Sequence, residues 1–279
     1  MSVILLEDGV LQQRYDALVA IIRAAGSAVV AYSGGVDSSL LTFLVSRELG
    51  RKMLALTITS EFDNPGAIAE AVAFAEKHAI PHKIQPLQLL TNERIATNPV
   101  DRCYYCKKTI LQTLKHYAEE QGYAHVMEGQ NADDATEYRP GSQAVKETGT
   151  LSPLMDAGLT KAQIRELSCQ LGLETWDAPS SPCMATRIPH GTTIEPTALR
   201  MAAEAEALLA EREFFDSRVR VYGLMASIEV KESELAALFG QRKEIIEQFH
   251  QLGFKQISLN LAGYVRGNLS QGLIDSTNE

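Results

Sequence analysis

Short apolar runs alternate with amphipathic stretches along the first two-thirds of the chain. Residues 28–32, 53–58, 83–85 and 125–128 read as strands, each short and bounded by small or polar residues. Helical spacing fills the intervals, beginning near residue 40 and covering 66–78 and 105–121. Strands alternating with helices over residues 10–180 predict an α/β fold with a parallel sheet, and such sheets gather their ligand loops at the carboxyl ends of the strands. After Pro179 the pattern changes. Pro182, Pro189, Gly191 and Pro196 mark a connecting segment. Beyond it come an Ala/Glu-rich helix over 197–213, alternating strands at 218–222 and 226–230, helical segments through Leu252, and a strand at 256–261. The expected domains are residues 1–183 and a smaller α+β unit, 184–279, with no internal repeat or low-complexity tract.

Composition narrows the class. A chain of 279 residues with 45% hydrophobic content buries a substantial core. The opening eight residues lack a basic segment followed by an apolar one, and no stretch approaches the ~18 apolar residues of a membrane span. A soluble, cytoplasmic protein without a membrane partner is expected. The net charge of −9 speaks against nonspecific nucleic-acid binding. Four cysteines are too few for a secreted disulfide scaffold, so in a reducing compartment they point to chemistry, metal or packing.

The chemistry concentrates first in Ser33-Gly34-Gly35-Val36-Asp37-Ser38-Ser39, between the first strand and a helix. Glycines let the backbone approach phosphate oxygens, while hydroxyls and helix N-terminal amides donate to them. Asp37 would repel a bare phosphate, so a carboxylate here implies Mg²⁺ between it and the pyrophosphate oxygens. The run is not a Walker A loop, because the Gly-Lys-Ser/Thr ending is missing. It resembles the PP-loop of the ATP pyrophosphatases, which cleave ATP between the α and β phosphates and adenylate their substrates. The plainer reading is a serine-capped glycine turn.

Thr59 and Ser60 close the second strand, where adenine or ribose contacts would fall. Gly129, Asp133 and Asp134 follow the fourth strand, and paired acids there suit Mg²⁺ or an adenylation site, with an Asx turn and helix cap as the alternative. Cys103 and Cys106 form a CxxC at a helix start, and Cys183 lies near the junction. Three soft thiolates suit an iron–sulfur cluster with one iron open to substrate or an extra sulfide. A redox pair, half a zinc site completed by His82, His116 or His190, or plain helix-start residues stay open for the CxxC. Cys169 sits in a helical pattern and is expected to pack as an apolar residue.

The ordered set of SGGVDSS, ITSEF at 58–62, DRCYYCKK at 101–108, EGQNADDATEYRPG at 128–141 and SSPCMATRIPHG at 180–191 resembles the LarE family of ATP-dependent sulfur transferases. RVRVYG at 218–223, SIEV at 227–230 and NLAGYVRGNLSQ at 260–271 extend the resemblance through the second domain. It implies that a carboxylate of pyridinium-3,5-biscarboxylic acid mononucleotide attacks ATP and that sulfur then displaces AMP. Both carboxylates react in turn, toward the nickel-pincer nucleotide used by lactate racemase and related enzymes. Members with only the Cys183 equivalent give up that sulfur and are left with dehydroalanine. Members that also carry the CxxC hold a 4Fe-4S cluster with a replaceable sulfide, the type implied here by Cys103, Cys106 and Cys183, with sacrificial Cys183 as the alternative. A homo-oligomer, trimer or hexamer, is also implied; the sulfide donor is not.

An anionic mononucleotide needs cations. Arg218 and Arg220 alternate with valines, so both project from one strand face and could grip its phosphate, and Arg187 is a further candidate. Solvated surface arginines are the ordinary explanation. Glu206 and Glu229 match acidic positions of the family's site or subunit contacts, although a glutamate on an Ala-rich helix is commonly just exposed, and Trp176 is expected to pack near the junction. Two rivals share the first domain's features: a cluster-bearing tRNA thiolase, disfavoured by acidic charge and the lack of a basic aromatic platform, and a noncatalytic ATP-binding module.

Overall fold

The computed structural model describes residues 8–135, 140–179 and 182–265. Parts of three motifs, at 136–139, 180–181 and 266–271, lie outside the described residues. The chain divides into two compact units: one takes the chain up to Leu89 together with the stretch starting at Asp101, the other takes Leu90–Val100 and the chain from Pro182 onward.

In the first unit β1 (Ala28–Ala31), β2 (Met53–Thr59), β3 (His82–Pro86) and β4 (His125–Met127) form a parallel sheet in the order β3-β2-β1-β4. The expected α/β parallel sheet is therefore present. Ala28 pairs with Met53 on one side and His125 on the other, and Ala55 pairs with His82. Side chains alternate across the pleat. Ala28 and Val30 join Leu18 and Ile22 of the helix Gly9–Ala25 and Leu40, Leu41 and Leu44 of the helix Val36–Leu49. Val29 faces the other way, into Leu56, Val126 and the Leu111, Leu114 and Ala118 side of the helix Arg102–Glu120. Each fully buried leucine contributes roughly 1.5–3 kcal/mol of apolar burial, so both faces of the sheet are firmly covered.

Topology locates the crevice. The chain runs outward from β1 through β2 to β3, then returns to β4 on the opposite flank of β1. Loops leaving the carboxyl ends of β1 and β4 thus diverge at a switch point, where open α/β sheets bind ligands. Two features depart from the expected elements. The helix Gly9–Ala25, capped by the Asp8 carboxylate accepting from the amides of Val10 and Leu11, has no counterpart among them. The helix after β1 starts at Val36 rather than near residue 40, which puts Asp37, Ser38 and Ser39 in its first turn.

The second unit holds β5 (Arg218–Tyr222), β6 (Met225–Glu229) and β7 (Gln256–Leu259), with β5–β6 antiparallel and β6–β7 parallel. Leu199, Ala202, Ala205 and Leu209 of the helix Pro196–Ala210 are buried, as are Val219, Val221, Ala226 and Ile228 of the sheet. Residues 90–100 fall here rather than in a contiguous stretch ending at 183. Asn98 explains why: its amide donates to the carbonyls of Ile188 and Pro189 at 3.2 and 2.8 Å, and its own carbonyl accepts from Gly191 N at 2.8 Å. Among the described residues no helix is long and apolar enough to cross a membrane.

Candidate active site

The loop after β1 is closed by its own hydroxyls. Ser38 Oγ donates to Gly35 O at 3.1 Å, so its lone pairs accept from Ser33 N at 3.3 Å and Ser33 Oγ at 3.0 Å. Gly34 has φ +79°, and a Cβ there would meet Ala71 Cβ at 2.9 Å, so the turn requires glycine. The helical ladder begins with Ser39 N donating to Gly35 O, which leaves the amides of the preceding turn outside it, as at any helix start. Those amides and the helix dipole form an anion nest at the carboxyl end of β1.

Asp37 sits in that nest. Its Oδ2 accepts from Lys161 Nζ at 2.7 Å. Its Oδ1 is buried and, among the described residues, meets no hydrogen-bond partner. An unsatisfied carboxylate oxygen beside free amides suits a divalent cation carrying phosphate oxygens. Lys161 was not legible as a site residue: a lone lysine opening a helix 124 positions from Asp37 carries no sequence signal.

The loop after β4 packs onto this nest. A Cβ on Gly129 would lie 3.1 Å from Ser38 N, 3.2 Å from Ser38 Cα and 3.3 Å from Asp37 C, all main-chain atoms that cannot swing aside. Gly129→Ala is therefore expected to displace the first helical turn, weakening ATP binding about tenfold and costing roughly 1–3 kcal/mol by overpacking. Calorimetric titration with nucleotide and a thermal melt check both; unchanged affinity would show that the close approach is incidental.

Glu128, buried just before Gly129, anchors the same loop: its Oε1 accepts from Ser152 Oγ at 2.6 Å and Gln130 N at 3.1 Å, and its Oε2 from Lys107 Nζ at 2.8 Å. The paired acids build a turn. Asp133 N donates to Asn131 Oδ1 at 2.9 Å and Asn131 N to Asp134 Oδ2 at 3.1 Å, while Asp133 Oδ2 accepts from Lys161 N at 2.8 Å. These hydrogen bonds make an Asx turn, and they leave the metal or adenylation reading of the two acids open beside it. Thr59 and Ser60 do lie at the carboxyl end of β2. Thr59 O accepts from Leu87 N at 2.8 Å, and Ser60 is drawn into a turn in which its N and Oγ donate to Asp63 Oδ2 at 2.6 and 3.1 Å. Burial raises the Asp63 carboxyl above its ordinary value, against those two hydrogen bonds.

Behind the nest, Tyr32 is pushed up to about 12 by burial and stays a phenol, donating to Ala71 O at 3.2 Å. Thr57 Oγ1 donates to Tyr32 O at 2.8 Å, so it accepts from His82 Nε2 at 2.8 Å. Burial lowers the His82 pKa, consistent with a neutral ring carrying its proton on Nε2.

The CxxC occupies the first two turns of the helix Arg102–Glu120, Cys103 exposed and Cys106 half-buried, three residues apart on one side. Tyr104 between them is clamped. Its hydroxyl donates to Glu147 Oε2 at 2.7 Å, and Lys108 Nζ donates to the same carboxylate oxygen at 2.7 Å and to the tyrosine oxygen at 2.9 Å. Lys108, then Tyr104, holds the Glu147 carboxyl down at about 2. Among the described residues no group of three His, Cys, Asp or Glu is gathered as a metal would need. Cys103 and Cys106 belong to the first unit and Cys183 to the second. Cys169 is exposed, not packed as expected, because the buried stripe of its helix runs through Ile164, Leu167 and Ser168. Trp176 is likewise 43% exposed.

Within the second unit Arg187 and Arg220 reach the turn that carries Cys183. Arg187 forks onto Glu206, Nε to Oε1 and Nη2 to Oε2, both at 2.8 Å. Its Nη1 donates to Thr186 Oγ1 at 2.9 Å and more weakly to the carbonyls of Pro182 and Cys183 at 3.3 and 3.4 Å. Glu206 is thus drawn into a pair and also accepts from Val219 N at 2.9 Å, unlike the exposed glutamate that Ala-rich composition suggested. Arg220 donates from Nε and Nη2 to Glu229 Oε2 at 3.1 and 2.9 Å, and from Nη1 to Thr186 O at 2.6 Å. Arg187, Arg220 and Glu229 are all buried. Arg218 donates to Ser217 O at 2.7 Å and lies 5.0 Å from the Tyr264 ring centroid. Two of the three arginines expected to hold phosphate therefore stand in carboxylate pairs that brace the cysteine turn.

A parallel sheet with a serine–glycine–acid nest at the β1/β4 switch point defines a nucleotide-binding α/β protein of the PP-loop type. Residues 11–103 match the NAD synthase family model. The chain is 31% identical over 92% of its length, and 93% of the relative's, to the pyridinium-3,5-bisthiocarboxylic acid mononucleotide synthase of Lactiplantibacillus plantarum. It is 35% identical to the uncharacterized protein slr1717 of Synechocystis sp., over 88% of this chain and 92% of that one. A glutamine-hydrolyzing GMP synthase subunit of Thermoplasma volcanium is 29% identical over 58% of this chain and 57% of its own. The chain belongs to the pyridinium-3,5-bisthiocarboxylic acid mononucleotide synthase family, which is the LarE resemblance read from its motifs.

Proposed function

We propose that this protein uses ATP to adenylate the carboxylates of pyridinium-3,5-biscarboxylic acid mononucleotide and replaces one oxygen of each by sulfur. The carboxylate oxygen attacks the α-phosphorus, pyrophosphate leaves, a sulfur nucleophile adds to the acyl carbon, and AMP departs with the original oxygen. Carboxylates resist acyl substitution until such a leaving group is attached. The nest amides and Lys161 would take up charge on the departing pyrophosphate. Mg²⁺, when bound through Asp37, supplies further charge neutralisation there. The observation that carries the reading is the Asp37 nest at the switch point, in a chain similar over nearly its full length to the L. plantarum synthase.

For the sulfur we infer a three-thiol donor, Cys103, Cys106 and Cys183: what supports it is the CxxC-plus-cysteine set of the family resemblance and the softness of thiolates as 4Fe-4S ligands, the described residues holding no gathered group of three. Such a cluster, when bound, supplies a replaceable sulfide on its open iron. The braces on Cys183 from Arg187 and Thr186 hold that turn in place, with Thr186 Oγ1 donating to Cys183 O at 2.8 Å.

Incubation with ATP, Mg²⁺ and the mononucleotide tests the first half. AMP and pyrophosphate should form only when the mononucleotide is present, whereas ADP formation, or pyrophosphate release indifferent to it, overturns the reading.

A further inference from the structure

Lys161 is tied at both ends. Its main-chain amide is fixed by Asp133 Oδ2 at 2.8 Å, and its ammonium reaches Asp37 Oδ2 at 2.7 Å, from the first position of the helix Lys161–Gln170. That helix start is itself locked by a capping box between Thr160 and Gln163. The helix Lys161–Gln170, held at its start by Asp133 of the β4 loop, therefore delivers a cation to Asp37 Oδ2 in the β1 nest, while Asp37 Oδ1 stays buried and unsatisfied. A lysine side chain 40% exposed on a fixed backbone can swing over several ångströms without moving its helix. An ammonium on Oδ2 draws off charge from a cation on Oδ1, and a cation that bridges both oxygens needs Oδ2 vacated, so lysine and a bidentate metal compete for Asp37.

We propose that Lys161 is an exchange cation. Without nucleotide it neutralises Asp37; when a metal–nucleoside triphosphate arrives, the metal takes Asp37 and the displaced ammonium moves to the polyphosphate. Asp133 is then a positioning residue that acts through Lys161, which gives the paired acids a role without direct metal contact. This rests on reading the nest as a metal–nucleotide site.

Mn²⁺ alone, titrated into the nucleotide-free protein and followed by its EPR signal, separates the possibilities. Lys161→Met should bind Mn²⁺ about fivefold more tightly than the parent, the scale of one partly exposed ion pair, yet bind α,β-methylene-ATP about tenfold more weakly in the presence of Mg²⁺. Lys161→Arg should keep the parent's Mn²⁺ affinity. These opposite signs are not the signature of a merely structural lysine, whose loss would weaken both. Equal or weaker Mn²⁺ binding by a Lys161→Met protein with an unchanged circular-dichroism melt overturns the exchange. If instead Asp37→Asn leaves Mn²⁺ binding intact in the parent background, the metal site itself lies elsewhere and the underlying reading fails.

Discussion

Asp37→Asn should lower mononucleotide-dependent pyrophosphate release by roughly a hundred- to thousandfold, the usual effect of removing one preorganised charge-stabilising group from a transition state. Asparagine preserves the shape of the side chain and one oxygen but removes the charge that retains a divalent cation and holds Lys161. Thermal stability should hardly move. The Lys161–Asp37 pair is partly solvated, with side chains 40% and 23% exposed, so its loss costs at most about 1 kcal/mol. Removing the charge also relieves the desolvation of the buried Oδ1. A large kinetic loss with a near-native melt identifies a chemical role. Activity retained within threefold would remove Asp37 from the reaction and leave the nest an ordinary capped turn.

What was legible in the chain follows from what each signal physically is. Buried parallel strands are short apolar runs, so β1 and β2 could be read to within a residue at most ends, and their alternation with amphipathic helices carried the sheet type. Helix starts were harder. Asp37, Ser38 and Ser39 read as loop because small polar residues favour turns and caps equally, whereas Gly35 in extended conformation is the boundary. Pairings at long range left no trace. Nothing in the spacing joins Lys161 to Asp37, Lys107 to Glu128, or Arg187 to Glu206, because a single charge carries no address in a sequence. Arg220 shows the same limit on a local scale: alternation correctly put it on one strand face with Arg218, but the cross-strand hairpin brings Glu229 to it. Leu90–Val100 carries no periodicity that would mark it off from the first domain, and it is tied to the second unit by the Asn98 side chain and by the carbonyls of Ala96 and Asn98, which accept from Ile194 N and Gly191 N.

Cys183→Ala should separate the two halves of the reaction: thiocarboxylate formation falls to background, at least about a thousandfold, while mononucleotide-dependent AMP and pyrophosphate release continues as water slowly takes the place of sulfur. The reason is anatomical. The Asp37 nest and Gly129, at the carboxyl ends of β1 and β4, and Lys161, opening a later helix, all belong to the first unit, whereas Cys183 sits on the second unit's turn, braced by Arg187, Glu206 and Arg220. Alanine keeps the main-chain carbonyl that accepts from Thr186 and Arg187, so the turn should persist. Cys103→Ala then decides between sulfur sources. If three thiols hold a cluster, anaerobically purified Cys103→Ala protein loses iron, acid-labile sulfide and sulfur transfer together. If Cys183 is sacrificed, the same variant still completes one turnover and its polypeptide loses the mass of hydrogen sulfide as Cys183 becomes dehydroalanine. Intact-protein mass spectrometry beside iron analysis distinguishes them, and full repeated turnover by iron-free Cys103→Ala protein would exclude both donors.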